Sequence, residues 1–580
     1  MASENSIKPS RRAILGSAGG LLAVPLVADH PAHGTASAPR AKPLASFAEL
    51  AASQGADGVG TKRGSLGSVT DMLALDARAH GVIGDGHADD TKAVRALLDA
   101  CARQGGRIAY FGQLTVRITG PLVSRGVGIV FDTASYGGEG APGFIASGTG
   151  YTVLTVSGSV PDFCLTITGE GRADIEDSGR IAGDRRARIN GIDFGTNDAP
   201  FAMANVRWVR VHNLAGYGIR HTQCWDCTFL SVSVERCGRE GVYAFEVVGD
   251  ARRSCNETTW VRLHVEQSIG GAIRIDPGTL SCTFSKIHSE RAIPSGSMPT
   301  WLFGGSCIYD SARLTALDPA HASVSIIGNQ MDVRNLRAEG EIRVIVNASG
   351  GTITFHNPGA VLQPAPNQNG IVNIVGGVIS LCALGAGWNL IGCQIGRLEV
   401  GFMSPGQWST LTGCAVGELV PQDGVDQGEL VLNATRVASA TIAAGGRLRA
   451  LHLTNNSRLT AKDGMLVCRD QFLGVDTSSR IEGNVSLRRA SLRLAGVIAG
   501  QLGVDGAVHD ARAEDTAIVE KGVTGWGSPT IAGTQGAWSV NLMANVEAPM
   551  KPRPGGGRQA IMGWRYVAHA WRPVRIEIEE

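Results

Sequence analysis

The sequence predicts an all-β solenoid, in which short strands stack coil upon coil around one shared core. From about residue 150 the chain reads as short strands separated by turns rich in Gly, Asn, Asp and Ser. Helical periodicity is nearly absent up to about residue 500, and glycine is abundant, with 78 residues in a chain of 580. Each coil of such a solenoid buries its inner face only by stacking on its neighbours.

A seven-residue pattern repeats in the middle of the chain and indicates the length of a coil. It begins with an aromatic or apolar residue and ends with Glu, in the copies Phe229–Glu235, Trp260–Glu266, Phe284–Glu290 and Val333–Glu339. Their starts are 31, 24 and 49 residues apart, which fits one coil for 24 and nearly two for 49. A further copy, Trp208–Leu214, keeps the pattern without the acid.

Alternation along these strands predicts an apolar inner face and a polar outer face. In the second copy the residues expected to point inward are Val261, Leu263 and Val265. The outward residues of the second, third and fourth copies are Arg262, His264 and Glu266; Lys286, His288 and Glu290; and Asn335, Arg337 and Glu339. Stacked about 4.8 Å apart per coil, they would form a stripe of carboxylates flanked by imidazoles and basic groups. Repulsion between stacked like charges should raise the pKa of some of these acids.

A segment before the coils predicts a turn, a capped helix and a strand in that order. The octapeptide 84–91, Gly-Asp-Gly-His-Ala-Asp-Asp-Thr, combines glycines that permit a tight turn with aspartates that can cap a helix. Spacing of i, i+3, i+4 and i+7 gives the helix an apolar face of Val94, Leu97, Leu98 and Cys101. The helix should end at Gln104-Gly105-Gly106, before a strand at 107–111. We expect structural roles for Asp85, Asp89 and Asp90.

This order over residues 79–131 resembles the opening of the pectate-lyase-like superfamily, which includes phage tailspikes and secreted polysaccharide-degrading enzymes. The resemblance implies a right-handed parallel β-helix whose N-terminal end is capped by the helix, and a polysaccharide as substrate. Near the C-terminus, Gly563-Trp564 followed by Trp571-Arg572-Pro573 resembles the closing segment of several such proteins. A small C-terminal β-module is therefore expected. In trimeric relatives such a module helps assembly, so the resemblance allows a homotrimer.

The N-terminus resembles a twin-arginine export signal, because Arg11-Arg12 precedes a weakly hydrophobic, glycine-containing stretch from Ala13 to Ala28. We therefore expect the body of the protein to be secreted or periplasmic. The predicted organisation is a signal segment at 1–40, a linker at 41–70, the β-helix at 71–505 and the C-terminal β-module at 506–580.

Composition argues against several classes of protein. The 53 basic and 52 acidic residues leave a net charge of +1, which gives no general argument for binding nucleic acid. The body has no run of 18 or more apolar residues, so no membrane span is expected in the mature form. Cys224 and Cys227 form a CxxC without a second ligand pair, so no metal site is predicted there. Most of the twelve cysteines are expected to be inward-facing core residues.

The glutamates of the stripe favour glycoside hydrolysis, which needs one protonated and one ionised carboxyl group and no cofactor. On adjacent coils Glu266 and Glu290 would lie about 5 Å apart, near the separation of a retaining pair. They are the leading catalytic candidates, with Glu235 and Glu339 in reserve. The candidate substrate-binding residues beside them are Arg262, His264, Lys286, His288 and Arg337.

Two other functions stay open. A polysaccharide lyase would neutralise a uronate carboxylate with Ca²⁺ or arginine and remove a proton with a base, and Ca²⁺ needs several oxygen ligands. The nearest acidic cluster, Asp174, Glu176 and Asp177, lies beside Arg172 and Arg180 and is more typical of a salt-bridged loop. Alternatively, the protein binds polysaccharide without cutting it, as a tailspike-like or adhesin-like protein does.

Overall fold

We describe a computed structural model of the chain, which divides into the units 1–70 and 71–580. Residues 74–521 are described except for 133–141, 251–253, 296–297, 367, 403–406, 422–427, 442–447, 470, 489, 506–509 and 514–516. Outside that range the structure describes the backbone of Gly60–Thr61, Gly64–Ser65, Val523–Gly525, Trp538–Val540, Lys551–Pro552, Arg558–Val567 and Ala570–Ile578. The predicted signal segment and nearly all of the predicted linker lie outside the described residues.

Three ladders of parallel strands run along the chain, because each strand pairs with the equivalent strand of the next coil. The first ladder contains Ala74–Asp76, Ile108–Gly112, Gly128–Phe131, Thr228–Phe229, Thr259–Val261, Leu280–Ser285, Ser306–Asp310, Gln330–Arg334, Thr352–His356, Ile371–Val375, Trp388–Ile391, Trp408–Thr412, Gly428–Asn433, Leu448–Thr454, Phe472–Val475, Ser491–Leu494 and Asp510–Ala513. The second contains Asp85–Asp89, Thr115–Ile118, Gly143–Ala146, Val232–Glu235, Leu263–Glu266, His288–Ala292, Arg313–Ala316 and Arg337–Ala338. Two longer strands, Phe163–Gly169 and Asn205–His212, pair in both ladders.

The third ladder contains Leu122–Arg125, Thr149–Ser157, Arg188–Phe194, Ile219–His221, Tyr243–Val247, Gly271–Ile275, Trp301–Gly304, Ser323–Ile327, Arg343–Asn347, Val361–Pro364, Val378–Gly385, Gln394–Phe402, Ala415–Pro421, Arg436–Ala440, Arg458–Arg469, Arg480–Arg488, Val497–Ile498, Leu502–Asp505, Ile518–Val519 and Val523–Gly525. Shorter pairs are Ala173–Ile175 with Ile181–Asp184, and Phe201–Ala202 with Cys224–Trp225. The architecture is the right-handed parallel β-helix that the sequence resemblance implied.

The predicted capping helix is present as Thr91–Arg103, after a 3₁₀ turn at Arg78–His80. Its buried residues include the predicted face, Val94, Leu97, Leu98 and Cys101. Asp90 accepts two backbone N–H groups of the preceding turn at 2.8 and 2.9 Å, and Asp89 accepts the N–H of Thr91 at 3.0 Å. Asp85 accepts two further backbone N–H groups, so all three aspartates hold this turn together. No helix in the described part is long and apolar enough to cross a membrane.

The central coils stack in register, as a column of aromatic rings inside the first ladder shows. Phe229, Trp260, Phe284 and Tyr309 occupy one position in consecutive coils, with ring centroids 5.6, 4.4 and 5.2 Å apart and planes within 6°. All four rings are buried. Val333 follows Tyr309 in the same column, so the 49-residue offset spans two coils as predicted. The alignment of the four repeat copies is confirmed.

The alignment of the fifth copy was wrong by two positions. Val209 pairs with Val232, and His212 therefore lies opposite Glu235, where the sequence alignment had placed Leu214. The strand Asn205–His212 runs through both ladders without the corner that separates them in the later copies. The error came from anchoring the pattern on Trp208, because Val206 is the residue opposite Phe229.

The corner between the first and second ladders is built on residues with left-handed backbone. Arg262, Lys286, Ser311 and Asn335 have φ of 61°, 56°, 58° and 51°. In each case the backbone N–H bonds to a carbonyl of the next coil, at 2.9 Å. The corner interrupts the strand alternation, so the inward residues around it are Trp260 and Leu263. The prediction that Val261 points inward was wrong, since it is half-buried on the outside of the first ladder.

At the C-terminal end the parallel ladders continue beyond residue 505. Ser491–Leu494 pairs with Asp510–Ala513, and Leu502–Asp505 pairs with Val523–Gly525. An antiparallel sheet of Trp538–Val540, Lys551–Pro552, Arg558–Val567 and Ala570–Ile578 follows. The structure therefore contains a C-terminal β-module, and the stacked coils reach about twenty residues further than the predicted boundary.

All twelve cysteines are buried and free of disulfide bonds. Cys224 and Cys227 of the CxxC both lie in the core. Burial raises the pKa of the Cys227 thiol to about 11, so this group is inert at neutral pH. The prediction that the cysteines are core residues is confirmed.

Two buried histidines are held in the neutral form. Burial lowers the pKa of His212 to about 4 and that of His221 to about 3. The ring of His221 stacks on Phe194 at 5.2 Å, and its Nε2 accepts the indole N–H of Trp260 at 3.3 Å. Because the unfolded chain binds these protons with a pKa near 6.5, acid favours the unfolded state.

We therefore predict that the free energy of unfolding is fully retained above pH 6.5 and falls as the pH drops towards 4. Each buried histidine contributes about 1.4 kcal/mol per pH unit in that window. Urea titrations at pH 7 and pH 5 measure the effect. His221→Gln should reduce the slope by the share of one buried histidine, whereas His356→Gln, on an outer face, is the surface control and should not reduce it. Equal stability of the unaltered protein at both pH values would contradict the prediction.

Candidate functional site

The second ladder carries two outward columns of polar side chains, which form the candidate site. One column consists of Arg210, Ser233, His264, His288, Arg313 and Arg337. The other consists of His212, Glu235, Glu266 and Glu290. The last three are the glutamate column, and their backbones lie on three consecutive coils, about 4.8 Å apart.

Glu235 is held in an ion pair at the N-terminal end of the glutamate column. The Nη2 of Arg210 lies 2.7 Å from its Oε2, and both side chains are largely buried, at 13% and 17% exposed. Burial by itself raises the pKa of Glu235, but the hydrogen bond and charge of Arg210 outweigh it, so the pKa is lowered. Glu235 is therefore ionised at neutral pH.

Glu266, in the middle of the column, has the opposite environment. Its pKa is raised by burial and then by the negative charges of Glu235 and Glu290 on either side. The positive charges of Arg236 and His288 lower its pKa by less than these effects raise it, and the His264 Nε2 lies 3.6 Å from the Glu266 Oε2. The predicted rise in pKa is confirmed for this acid, while Arg210 reverses it for Glu235.

Two histidines stack beside the glutamates. The rings of His264 and His288 are 5.0 Å apart and parallel within 6°. Burial lowers the pKa of His264, and the charge of His288 lowers it further. The His288 Nε2 lies 3.5 Å from Glu290 Oε2. Among the described residues, His264, His288 and Glu290 are the group whose ligand atoms lie close enough to hold a metal ion, all within 4.8 Å of one another.

A pocket of about 230 Å³ opens beside these columns, at the corner between the first and second ladders. Its lining residues are Trp208, Ser231, Val232, Ser233, Arg262, Leu263, His264, Lys286 and His288. Arg262 and Lys286 project from the left-handed corner, rather than from the strand as the alternation had implied. The pocket is thus lined by Arg262, Lys286 and the two histidines, and the glutamate column follows the histidines along the same strands.

The remaining predicted residues lie at the C-terminal end of these columns. Glu339 is two coils beyond Glu290 and pairs with Arg313, whose Nε lies 2.7 Å from the Glu339 Oε1. Arg337 lies opposite Arg313 in the neighbouring coil. The structure therefore brings Glu235, Glu266 and Glu290 together and leaves Glu339 apart.

A hairpin near the site contains the acidic cluster of the sequence. It packs through Ala173 against Ile269 and Ile293, three residues after Glu266 and Glu290 respectively. Glu176 pairs with Arg180, Asp174 with Arg185 at 3.6 Å, and Asp177 with Arg291 at 3.6 Å. The three acids are thus salt-bridged, as the sequence suggested.

Arg210 is the important residue that the sequence analysis did not assign to the site. It lies in the fifth repeat copy, whose misalignment by two positions hid its place beside Glu235. The Arg-x-His spacing that Arg210 and His212 share with Arg262 and His264 misled the alignment, because Arg210 stands in the column of His264 and not in that of Arg262.

No family model matches the sequence. The chain is 26% identical over 277 residues to a capsule KN3-specific protein, depolymerase 1, of Klebsiella phage KN3-1. The match covers 44% of this chain and 33% of the phage protein, so the chain matches a third of that protein's length. The fold that the resemblance to the pectate-lyase-like superfamily implied, a right-handed parallel β-helix, is confirmed by the strand ladders.

Several solved structures are similar in outline. The tailspike of E. coli bacteriophage HK620 in complex with pentasaccharide is 12% identical, with 91% of this chain and 98% of that chain covered and a TM-score of 0.27. The A-module of mannuronan C-5 epimerase AlgE4 from Azotobacter vinelandii is 12% identical, with 76% and 99% covered and a TM-score of 0.23. Both scores are low, so the likeness carries no weight for function.

We predict that Arg210→Met lowers the free energy of unfolding by about 3 kcal/mol, because it leaves the Glu235 carboxylate buried without its cation. Arg313→Met is the matched control, since the Arg313–Glu339 pair is 60% and 49% exposed. An exposed pair contributes less than about 1 kcal/mol. Urea unfolding of both variants at pH 7 measures the two free energies of unfolding. Equal decreases in the two variants would contradict the prediction that the buried Arg210–Glu235 pair matters more for stability than the exposed pair.

Proposed function

We propose that the chain is an exported polysaccharide depolymerase that hydrolyses glycosidic bonds at the glutamate column. The observation that carries the proposal is the register of Glu235, Glu266 and Glu290 on three consecutive coils. Carboxyl groups on adjacent coils are near the separation of about 5–5.5 Å that a retaining glycosidase uses. The match to a phage depolymerase supports a polysaccharide as substrate.

The roles follow from the surroundings of each carboxyl group. Glu266 is flanked on both sides by carboxylates, so it is the group that would hold a proton and donate it to the leaving oxygen. Glu235 is kept ionised by Arg210 and would attack the anomeric carbon as the nucleophile. Glu290 is the alternative partner, with His288 beside it at 3.5 Å. Water would then release the sugar, with Glu266 acting as the base.

The pocket supplies the binding groups. Arg262 and Lys286 line the pocket and can pair with carboxylate or other acidic substituents of a sugar chain. His264 and His288 provide flat rings and hydrogen-bonding nitrogens on the ladder. Along the axis of the β-helix these polar groups repeat once per coil. A polysaccharide lying in that direction would therefore meet one set of polar groups at each coil.

Export by the twin-arginine signal is part of the proposal and would deliver the protein to extracellular or cell-wall polysaccharide. The pair of arginines at 11 and 12 in the sequence supports it. A signal of this type carries proteins that are already folded. That route suits a long β-helix whose coils depend on one another for stability.

Activity should be screened with the full chain on acidic and neutral polysaccharides, reading reducing ends together with the ultraviolet absorbance of unsaturated uronates. We predict reducing ends without absorbance. Glu266→Gln should lower kcat about 10²–10⁴-fold, the usual contribution of a general acid, and keep polysaccharide binding. Glu429→Gln is the matched control, because Glu429 lies 3.8 Å from His452 on the first ladder, and it should keep full activity.

The readout separates the alternatives. Reducing ends accompanied by absorbance would show a lyase and transfer the chemistry from the glutamates to the arginines, with Ca²⁺ as a candidate cofactor. Binding without either signal would show an adhesin-like protein. Either result would overturn the hydrolase proposal. If Glu235→Gln is inactive and Glu290→Gln is active, the nucleophile is Glu235, and the reverse assigns Glu290.

A further inference from the structure

Three side chains of the second ladder bring possible metal-ligand atoms close together. The ligand atoms of His264, His288 and Glu290 all lie within 4.8 Å of one another. They come from two adjacent strands of the second ladder, Leu263–Glu266 and His288–Ala292, whose backbones are fixed by parallel pairing. Because the backbones are fixed, rotation of the side chains alone would be needed for the three ligand atoms to bind one ion.

One of these ligand atoms is buried and unsatisfied. The Nε2 of His264 is shielded from solvent, and among the described residues it has no hydrogen-bond partner. A buried polar nitrogen normally makes at least one hydrogen bond or binds an ion, since desolvation without compensation costs about 1–3 kcal/mol. The nearest acid, the Glu266 Oε2, is 3.6 Å away, beyond hydrogen-bond distance. The atom is therefore available to a ligand.

We propose that His264, His288 and Glu290 bind one divalent transition-metal ion of the zinc class. Two imidazole nitrogens and a carboxylate oxygen are donors that Zn²⁺ and Co²⁺ prefer, whereas Ca²⁺ and Mg²⁺ require mostly oxygen ligands. Bonds of about 2.0–2.2 Å would draw the ligand atoms to about 3.3 Å from one another. Three protein ligands leave a fourth position for water or a sugar oxygen.

The cluster offers a cation one carboxylate, that of Glu290, whose Oε2 lies 3.5 Å from the His288 Nε2. The Glu266 Oε2 lies 3.6 Å from the His264 Nε2. The two histidines of the cluster line the pocket together with Arg262 and Lys286. An ion held here would engage Glu290 and leave Glu235 and Glu266 as the pair for hydrolysis. Metal binding nevertheless stands on its own geometry and requires no catalysis.

The test uses the full chain, stripped with a chelator and dialysed against Zn²⁺, with elemental analysis of the retained metal. We expect about one ion per chain that His288→Ala removes, with at least a tenfold loss of affinity. Glu290→Gln, which keeps the shape of the side chain, should weaken binding in the same way. Loading with Co²⁺ should give a visible absorption band that both variants lose.

The matched control is His356→Ala, because His356 is also an outward histidine beside an acid, with its Nε2 3.5 Å from the Asp332 Oδ1. It should retain the ion. Failure to retain Zn²⁺, retention unchanged in both cluster variants, or a preference for Ca²⁺ would overturn the proposal. Since no polysaccharide is present, these results are independent of the hydrolase screen.

Discussion

The in-register stacking of consecutive coils is the constraint on which the rest of this structure depends. The aromatic column from Phe229 to Tyr309 fills the same core position in each central coil. The left-handed corner at Arg262 and its equivalents bonds each coil to the next. Because strands pair without slipping, a side chain on one coil has a fixed neighbour on the next, and residues far apart in sequence become columns on the surface.

In-register stacking also brings like charges together, and neighbouring glutamates differ in the groups that surround them. Identical acids stacked about 4.8 Å apart repel one another. Glu235 is stabilised by Arg210 from the preceding coil, whereas Glu266 lies between two carboxylates and beside a neutral ring. Two chemically identical residues thus have pKa values displaced in opposite directions. A pair of this kind is what acid–base chemistry on a sugar requires.

Much of this could be predicted from the sequence, because coil length and stacking follow from periodic patterns. The capping helix, the four repeat copies and the alignment of Glu235, Glu266 and Glu290 are all as predicted. The corner could not be predicted from alternation, since a left-handed residue such as Arg262 carries no distinctive residue type. Arg210 was missed because the alignment was anchored on Trp208, whereas Val206 stands opposite Phe229, and the ion pair that fixes the state of Glu235 spans 25 residues.

Hydrolysis at the glutamate column is tested most directly by a crystal structure of the Glu266→Gln variant with an oligosaccharide from a polymer that the protein binds. We expect a sugar chain lying along the second ladder, with a glycosidic oxygen next to residue 266 and an anomeric carbon facing the Glu235 carboxylate. A sugar bound on the first or third ladder, with the glutamate column bare, would contradict it.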